Sequence, residues 1–152
     1  MTKGEIAKEY FENGFNCAQA VALAFSDEMG LDGDTVARLT GGFGGGIGRM
    51  REVCGTVSGA AFVMSALYGS SDPKDSKAKA DLYAMIQQVA GEFKQINGSV
   101  VCRELLGIDR SGFDIPQPEA RTNAYYKKRP CSELVKISAD LLEAFANEQS
   151  KK

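Results

Sequence analysis

The sequence predicts an all-α fold, a single compact helical bundle of six to eight helices with a glycine-rich connection, over residues 1–152. Apolar residues recur at helical spacing along most of the chain, while the alternation typical of strands is almost missing. The composition is 43% hydrophobic and 25% charged, as in an ordinary globular protein, and 152 residues is the length of one domain. We therefore expect one helical domain with no internal repeat and no linker.

Three helices are expected before the glycine-rich connection. The spacing of apolar residues indicates two of them, with apolar faces formed by Ile6, Tyr10 and Phe11 and by Val21, Ala24 and Phe25. Gly30 stops the second helix, because glycine is typical of the position just after a helix. The third helix runs from Asp34 to Leu39, where the acidic residue favours a first helical turn.

The segment Thr40 to Met50, TGGFGGGIGRM, contains too much glycine to remain regular. A fourth helix is expected from about Gly55 to Tyr68, with Gly69 as its stop. Pro73 is expected to open the longest helix, which ends at Asn97-Gly98. Its inward stripe is predicted to contain Leu82, Ile86, Val89, Phe93 and Ile96.

The last third of the chain is predicted to hold three more helices. A short helix from Val101 to Leu106 ends at Gly107, and residues 109–120 form a loop, since Pro116 and Pro118 exclude a regular element. Helices over 120–128 and from Cys131 to about Asn147 complete the chain. The inward face of the last helix is expected to contain Leu134, Ile137, Leu141 and Phe145.

The charge of the chain excludes several kinds of partner. Lys and Arg number 18 against 20 Asp and Glu, so a net charge of -2 predicts neither a nucleic-acid nor a membrane-surface partner. The short basic run of residues 127–129 is typical of a solvated face. The N-terminus lacks the apolar core of a signal peptide, and no apolar run approaches the ~20 residues of a membrane span. We expect a cytoplasmic protein.

The sequence contains four cysteines and no histidine. Without histidine there is no Ser-His or Cys-His base and no histidine-ligated zinc or haem. Thiol chemistry remains, helped by carboxylates, Arg or Lys. Because the cytoplasm keeps thiols reduced, the cysteines are expected to be metal ligands or redox groups rather than permanent disulfides.

The four cysteines are far apart in sequence, with separations of 37, 48 and 29 residues, and no CxxC pair occurs. The absence of local pairs argues against a zinc ribbon or a thioredoxin motif. Each cysteine lies at or near the first turn of a predicted helix, where the helix dipole favours a thiolate and lowers the thiol pKa. If these helix starts meet at one end of the bundle, the four sulfurs lie together. The alternative is that they are separate, inert core residues. The cysteines are Cys17, Cys54, Cys102 and Cys131.

Several segments resemble the C_GCAxxG_C_C family of redox-active proteins, which have four dispersed cysteines and a Cys-Gly-Ala-x-x-Gly motif. The resemblance covers nearly the whole chain. Thr56 stands where the motif has alanine. The resemblance implies that the four cysteines are the functional set, and it implies no substrate. The matching segments are Asn16-Cys17-Ala18-Gln19, residues 41–46, Cys54-Gly-Thr-Val-Ser-Gly59, Val101-Cys102-Arg-Glu-Leu-Leu-Gly107 and Arg129-Pro-Cys131.

Six of the eight residues from Gly41 to Gly48 are glycine, yet they fit no nucleotide-binding motif. One interpretation is a nest of backbone N–H groups that binds an anion or a cofactor, with Arg49 and Arg51 supplying charge. The other is a tight connection that lets helices pack near Cys54. The candidate cofactor-binding residues are Gly44, Gly45, Gly46, Arg49 and Gly55.

These observations support two functional hypotheses. The first is a thiol redox protein, either a thiol-disulfide oxidoreductase or an electron-transfer protein, whose cysteines form dithiol/disulfide couples with a partner protein or a small thiol. The alternative is a binding protein whose four thiolates hold zinc or an iron-sulfur cluster. A homodimer is compatible with a small helical domain, but no heptad seam argues for one.

Overall fold

The computed structural model describes residues 1–108 and 113–152, and this part of the chain contains nine α-helices and one 3-10 turn. No strand occurs among these residues, only an isolated bridge between Val53 and Val101. The all-α prediction is confirmed. The helices are α1 (Lys3–Glu12), α2 (Cys17–Leu23), α3 (Ser26–Met29), α4 (Gly33–Thr40), α5 (Gly55–Tyr68), α6 (Ser76–Asn97), α7 (Cys102–Leu105), α8 (Asn123–Lys128) and α9 (Cys131–Ser150), and the 3-10 turn is Gly41–Phe43.

The main core lies between α1, α2, α5 and α9. Helix α1 packs against α2 and α9, and α2 packs against α5. A smaller cluster joins Cys54, Val57, Phe93 and Leu134 where α6 meets α5 and α9. No helix in the described ranges is both long and apolar enough to cross a membrane. The largest fully buried side chains of the main core are Phe11, Phe25, Met64, Leu142, Val21, Val36, Val63 and Val135.

The second predicted helix is divided into α2 and α3, which brings the number of helices one above the expected six to eight. The Phe25 N–H donates to the Ala22 carbonyl at 3.0 Å, a bond that tightens the last turn of α2. The Ser26 hydroxyl donates to the Leu23 carbonyl at 2.9 Å. These bonds end α2 before Gly30. Gly30 then ends α3 in a left-handed conformation with φ 69°, as its position predicts.

Two other helices begin a few residues later in the sequence than predicted, because a side chain caps each of them. Helix α6 begins at Ser76 rather than near Pro73, because the Asp75 carboxylate accepts a hydrogen bond from the Ala78 N–H at 2.9 Å. Helix α8 begins at Asn123 because the Thr122 hydroxyl caps it. The predicted loop 109–120 has no regular element in residues 113–120, and its first four residues lie outside the described ranges.

The stripe predicted for α6 is correct at its centre and wrong at its end. Val89 and Phe93 are buried, and Leu82 and Ile86 pack against the main core. Ile96 is 59% exposed, because none of the described elements covers the last turn of α6 on that side. In α9, Leu134 and Phe145 are buried as expected.

Candidate functional site

All four cysteines stand at helix starts, as predicted. Cys17, Cys102 and Cys131 are the first residues of α2, α7 and α9, and Cys54 is the N-cap of α5. All four are free thiols. They line one cavity of about 370 Å³. The prediction that the helix starts converge is therefore confirmed.

A capping box places Cys17. The Asn16 side chain accepts from the Gln19 N–H, and the Gln19 side chain accepts from the Asn16 N–H, both at 2.9 Å. The same two amides reach outward, Asn16 Nδ2 to the Gly41 carbonyl at 3.0 Å and Gln19 Nε2 to the Ala37 carbonyl at 2.9 Å. The start of α2 is thereby attached to the end of α4 and to the glycine-rich segment.

The bridge between Val53 and Val101 places Cys54 and Cys102. The Cys54 N–H donates to the Val100 carbonyl at 2.8 Å, and the Cys102 N–H donates to the Glu52 carbonyl at 2.6 Å. In extended backbone the residues next to a bridged pair point to the opposite face. Both cysteines therefore point away from the two valines and toward the cavity.

The glycine-rich segment is a tight turn with several residues in the left-handed region. The amides of residues 47–52 donate to carbonyl oxygens of residues 42–47, so these N–H groups are used within the segment. Three residues other than glycine adopt the left-handed region, Ile47, Arg49 and Arg51, at φ 65°, 61° and 60°. Such strain persists only where surrounding contacts impose it, and here it presents two arginines to the cavity.

Gly46 and Gly55 are glycines because backbone atoms and cysteine side chains approach them too closely to leave room for a side chain. Gly46 has φ 71°, and a Cβ there would lie 2.7 Å from the Cys102 Cβ. A Cβ on Gly55 would overlap the Cys17 Sγ. Gly46 packs closely against the Cys102 side chain, but it is not among the described residues that line the cavity. The other four candidate cofactor-binding residues do line it: Gly44, Gly45, Arg49 and Gly55.

Four arginines line the cavity beside the thiols: Arg49, Arg51, Arg121 and Arg129. Asp114 accepts hydrogen bonds from Arg49 at 3.1 Å and from Arg51 at 3.0 Å. Arg129 Nη2 donates to Glu119 at 3.0 Å. The sequence indicated Arg49 and Arg51, but it assigned Arg129 to a solvated basic run. The position of Arg129 two residues before Cys131 is the only signal in the sequence that marks it.

Arg121 was not predicted, and no periodic pattern marks it. Its guanidinium donates to the Phe11 carbonyl at 2.8 Å and to the Phe15 carbonyl at 3.0 Å. It also lies over the Phe11 ring, 4.2 Å from the centroid. Within the described ranges no carboxylate contacts it. The positively charged guanidinium of Arg121 therefore interacts with carbonyl oxygens and with the face of an aromatic ring.

Burial, rather than the helix dipole, determines the direction of the pKa shift at three of the four thiols. Burial raises the pKa of Cys17 above its ordinary 9.0, although hydrogen bonds from the Gly45 amide and from the first turn of α2 act in the opposite direction. Burial also raises the pKa of Cys54 and of Cys131 to about 12, and the nearby Cys17 and Cys102 thiols add to the effect. The expectation that helix starts lower the pKa of these thiols is wrong for all three.

Cys102 differs from the other thiols in its immediate partner. Arg51 Nη1 lies 3.7 Å from the Cys102 Sγ, in hydrogen-bonding contact. Burial lowers the pKa of Arg51, but its hydrogen bonds to Cys102 and Asp114 outweigh this and raise it, so the guanidinium stays charged. Cys102 is thus the thiol with a charged guanidinium at hydrogen-bonding distance from its sulfur.

Thr56, the residue that departs from the Cys-Gly-Ala-x-x-Gly motif, contacts the thiol two residues before it. Its Oγ1 lies 3.1 Å from the Cys54 Sγ, and this hydrogen bond lowers the Cys54 pKa without offsetting burial. The Thr56 carbonyl accepts from the Ser138 hydroxyl at 2.8 Å. The added hydroxyl is thus paired with the thiol inside the core, in the contact between α5 and α9.

The described residues include no group of three or more Cys, Asp or Glu side chains placed to hold one metal ion. The four thiols line the same cavity.

Neither a curated protein nor a solved structure matches this chain. The family model described as "Putative redox-active protein (C_GCAxxG_C_C)" matches residues 15–145. The matched range contains the four cysteines and the four arginines of the cavity. The chain therefore belongs to this C_GCAxxG_C_C family of redox-active proteins.

Proposed function

We propose that this protein works by thiol-disulfide exchange, with Cys102 as the attacking thiolate and Cys17 as the thiol that resolves the mixed disulfide. The observation that carries the proposal is that four free thiols open onto one cavity, with Arg51 in contact with the Cys102 Sγ. The thiolate is the nucleophile in such exchange, and Arg51 stabilises it at Cys102.

The proposed reaction has two steps. The Cys102 thiolate attacks one sulfur of a substrate disulfide, the S–S bond breaks, and one substrate thiolate leaves and takes up a proton. The Cys17 thiolate then attacks the Cys102 Sγ, which forms a disulfide within the protein and releases the second substrate thiolate. Two protein thiols lose two electrons and two protons, and the substrate disulfide becomes two thiols.

We assign the second step to Cys17 because backbone N–H groups from two segments reach its sulfur. Cys17 is half-buried, and hydrogen bonds from the Gly45 amide and from the first turn of α2 favour its thiolate, although burial raises its pKa overall. Burial raises the pKa of Cys54 and Cys131 to about 12. A thiolate on Cys102 raises the pKa of all three thiols, so the mixed disulfide on Cys102 removes this repulsion before the second step.

The test is to count free thiols before and after incubation with a disulfide, and to map the products by mass spectrometry. Wild type is expected to lose two thiols and form a Cys17–Cys102 disulfide. Cys17→Ser is expected to stop at a mixed disulfide on Cys102, while Cys102→Ser loses rapid exchange. The two serine variants control for each other, since they make the same chemical change with different products. Four thiols that stay unmodified under oxidising and reducing conditions would contradict the proposal.

A second measurement separates thiol exchange from metal binding. Protein purified without oxygen is analysed for zinc and iron, and its absorption spectrum is recorded. Metal-free, colourless protein with four titratable thiols agrees with exchange. A stoichiometric metal or cluster that protects the thiols from titration would replace the proposal with the binding function that the four cysteines also suggested.

A further inference from the structure

The thiol cavity has the size of a small-molecule site. Its volume of about 370 Å³ lies within the range of about 300–1,000 Å³ that is usual for such sites. Two of the thiols, Cys54 and Cys102, are only 6% and 8% exposed, so the disulfide of a folded partner protein cannot easily reach them. Apolar side chains also line the cavity: Phe11, Leu105, Leu106, Pro116, Pro118 and Leu134. A small organic molecule fits this surface.

The cavity carries an excess of positive charge. Four arginines line it, and in the described part of the chain two carboxylates, Asp114 and Glu119, pair with three of them. A thiolate on Cys102 still leaves four positive charges against three negative charges. An entering anion is therefore attracted and an entering cation is repelled.

The arginines also have unused hydrogen-bonding capacity. Arg49 Nε and Arg129 Nε are buried and have no hydrogen-bond partner among the described residues. Arg121 has carbonyl and aromatic contacts but no carboxylate partner there. Buried donors without an acceptor are uncommon, and guanidinium groups bind carboxylates in paired, charge-assisted hydrogen bonds.

We infer that the molecule taken by this cavity is a low-molecular-weight organic disulfide that carries carboxylate groups. The inference rests on the proposed thiol exchange and names its substrate class. The arginines hold the carboxylates while the disulfide lies over Cys102, which attacks it as described above. The substrate disulfide is itself the oxidant, since it accepts the two electrons of Cys17 and Cys102 and leaves as two carboxylate-bearing thiols.

The first test compares three disulfides of similar length and different charge: 3,3′-dithiodipropionate, bis(2-hydroxyethyl) disulfide and cystamine. Each rate constant with the reduced protein is divided by the rate constant of the same disulfide with free 3-mercapto-1,2-propanediol, a neutral thiol that none of the three disulfides releases. This division removes differences in intrinsic reactivity. The normalised rate for the anionic disulfide is expected to exceed that for cationic cystamine by at least about 10-fold at low salt. The preference is expected to shrink as salt is added.

The second test measures binding without exchange. Suberate has the chain length of 3,3′-dithiodipropionate with methylene groups in place of the sulfurs, and 1,6-hexanediamine is the matched cation. Suberate is expected to bind wild type, and to bind Cys102→Ser at least as tightly because this variant has no thiolate charge at position 102, as measured by calorimetry. Hexanediamine is expected to bind neither protein. Arg49→Gln and Arg129→Gln are expected to weaken suberate binding at least about 5-fold. Lys79→Gln, on an exposed part of α6, makes the same charge change and is expected to have no effect.

The outcomes separate the inference from the proposed function. Exchange with all three disulfides at equal normalised rates overturns the carboxylate preference and leaves thiol exchange intact. Absence of exchange with every disulfide overturns the proposed function, whether or not suberate binds. Faster normalised exchange with disulfide-bonded insulin than with all three small disulfides overturns the inference in favour of a protein substrate. Because the salt dependence uses wild type alone, the test holds even if an arginine variant fails to fold.

Discussion

The Cys17 sulfur lies against the backbone of Gly55, in the space that a side chain at position 55 would occupy. A Cβ there would overlap the Cys17 Sγ and lie 3.0 Å from the Phe43 carbonyl. The helix itself does not require this glycine, since Gly55 is the first residue of α5 and is not among the described glycines with a positive φ. The glycine is required because the first turn of α5 must approach Cys17 closely.

We expect Gly55→Ala to lower the free energy of unfolding of the reduced protein by about 1–3 kcal/mol, because the methyl group displaces Cys17 or the glycine-rich segment. Gly91→Ala on α6 is the matched control, since a Cβ there meets no atom within 4 Å. The control is expected to be neutral or to gain up to about 1 kcal/mol from helix propensity. Urea unfolding measures both, and equal effects of the two substitutions would show that Gly55 is not held by Cys17.

The buried Cys54 thiol predicts a loss of stability in alkaline solution. Burial raises its pKa from 9.0 to about 12 in the folded state. Below pH 9 the thiol is protonated in both states, and its contribution to stability is fully present. Between pH 9 and 12 the unfolded chain loses the proton and the folded chain keeps it, so stability falls as pH rises.

From pH 7.5 to 10, wild type is expected to lose about 1 kcal/mol more of its free energy of unfolding than Cys54→Ser, which has no thiol to ionise at that position. Urea unfolding of both proteins at the two pH values, with a reductant present, measures the difference. Parallel losses in the two proteins would contradict a raised Cys54 pKa.

At the scale of elements, Asp140 on α9 joins α9 to the start of α1. Its Oδ1 accepts from the Gly4 N–H at 2.7 Å, and its Oδ2 accepts from Lys136 at 3.0 Å. The first amides of a helix have no acceptor within the helix, so Asp140 supplies one from another helix. Burial raises the Asp140 pKa, but the hydrogen bonds from Lys136, Thr2 and Gly4 together lower it below 3.8.

Asp140→Asn is expected to cost about 1 kcal/mol of the free energy of unfolding at pH 7, since it weakens these charge-assisted bonds at a partly exposed site. A depressed folded pKa means that the stabilisation is present above about pH 3.8 and is lost as pH falls below it. Thermal unfolding from pH 7 to 3 tests this, because the two proteins should converge in acid. Asp81→Asn, in an exposed pair with Lys77, is the control and is expected to leave the unfolding temperature unchanged.

At the scale of the whole molecule, thiols from four separate helices meet in one cavity. A disulfide between Cys17 and Cys102 would link α2 to α7 across most of the chain and restrict the unfolded state. Oxidation of wild type is therefore expected to raise the free energy of unfolding by about 2–4 kcal/mol, as measured in urea, and to leave the protein monomeric on a non-reducing gel. Cys17→Ser is expected to gain nothing. Covalent dimers in place of an internal disulfide would contradict this prediction.

The helix starts at the cysteines were predictable because their signals are local. Asn16 and Gln19 form a capping box whose partners are three residues apart, so Cys17 is placed at the start of α2 by its own neighbours. The length of α5 agrees with prediction for the same reason, since Gly55 and Gly69 mark its ends. Arg121 was missed because its partners are carbonyl oxygens more than 100 residues away in sequence.

The sequence by itself determined that the chain is all-α, that each cysteine opens a helix, and that histidine chemistry is unavailable, because these properties depend on composition and on residues a few positions apart. Tertiary structure decided the rest. Burial, which depends on packing between distant segments, raised three thiol pKa values that helix position alone was expected to lower. The bridge at Val53 and Val101 and the loop beyond residue 112 brought Arg51, Cys102 and Asp114 together, since charges far apart in sequence meet only when the chain folds.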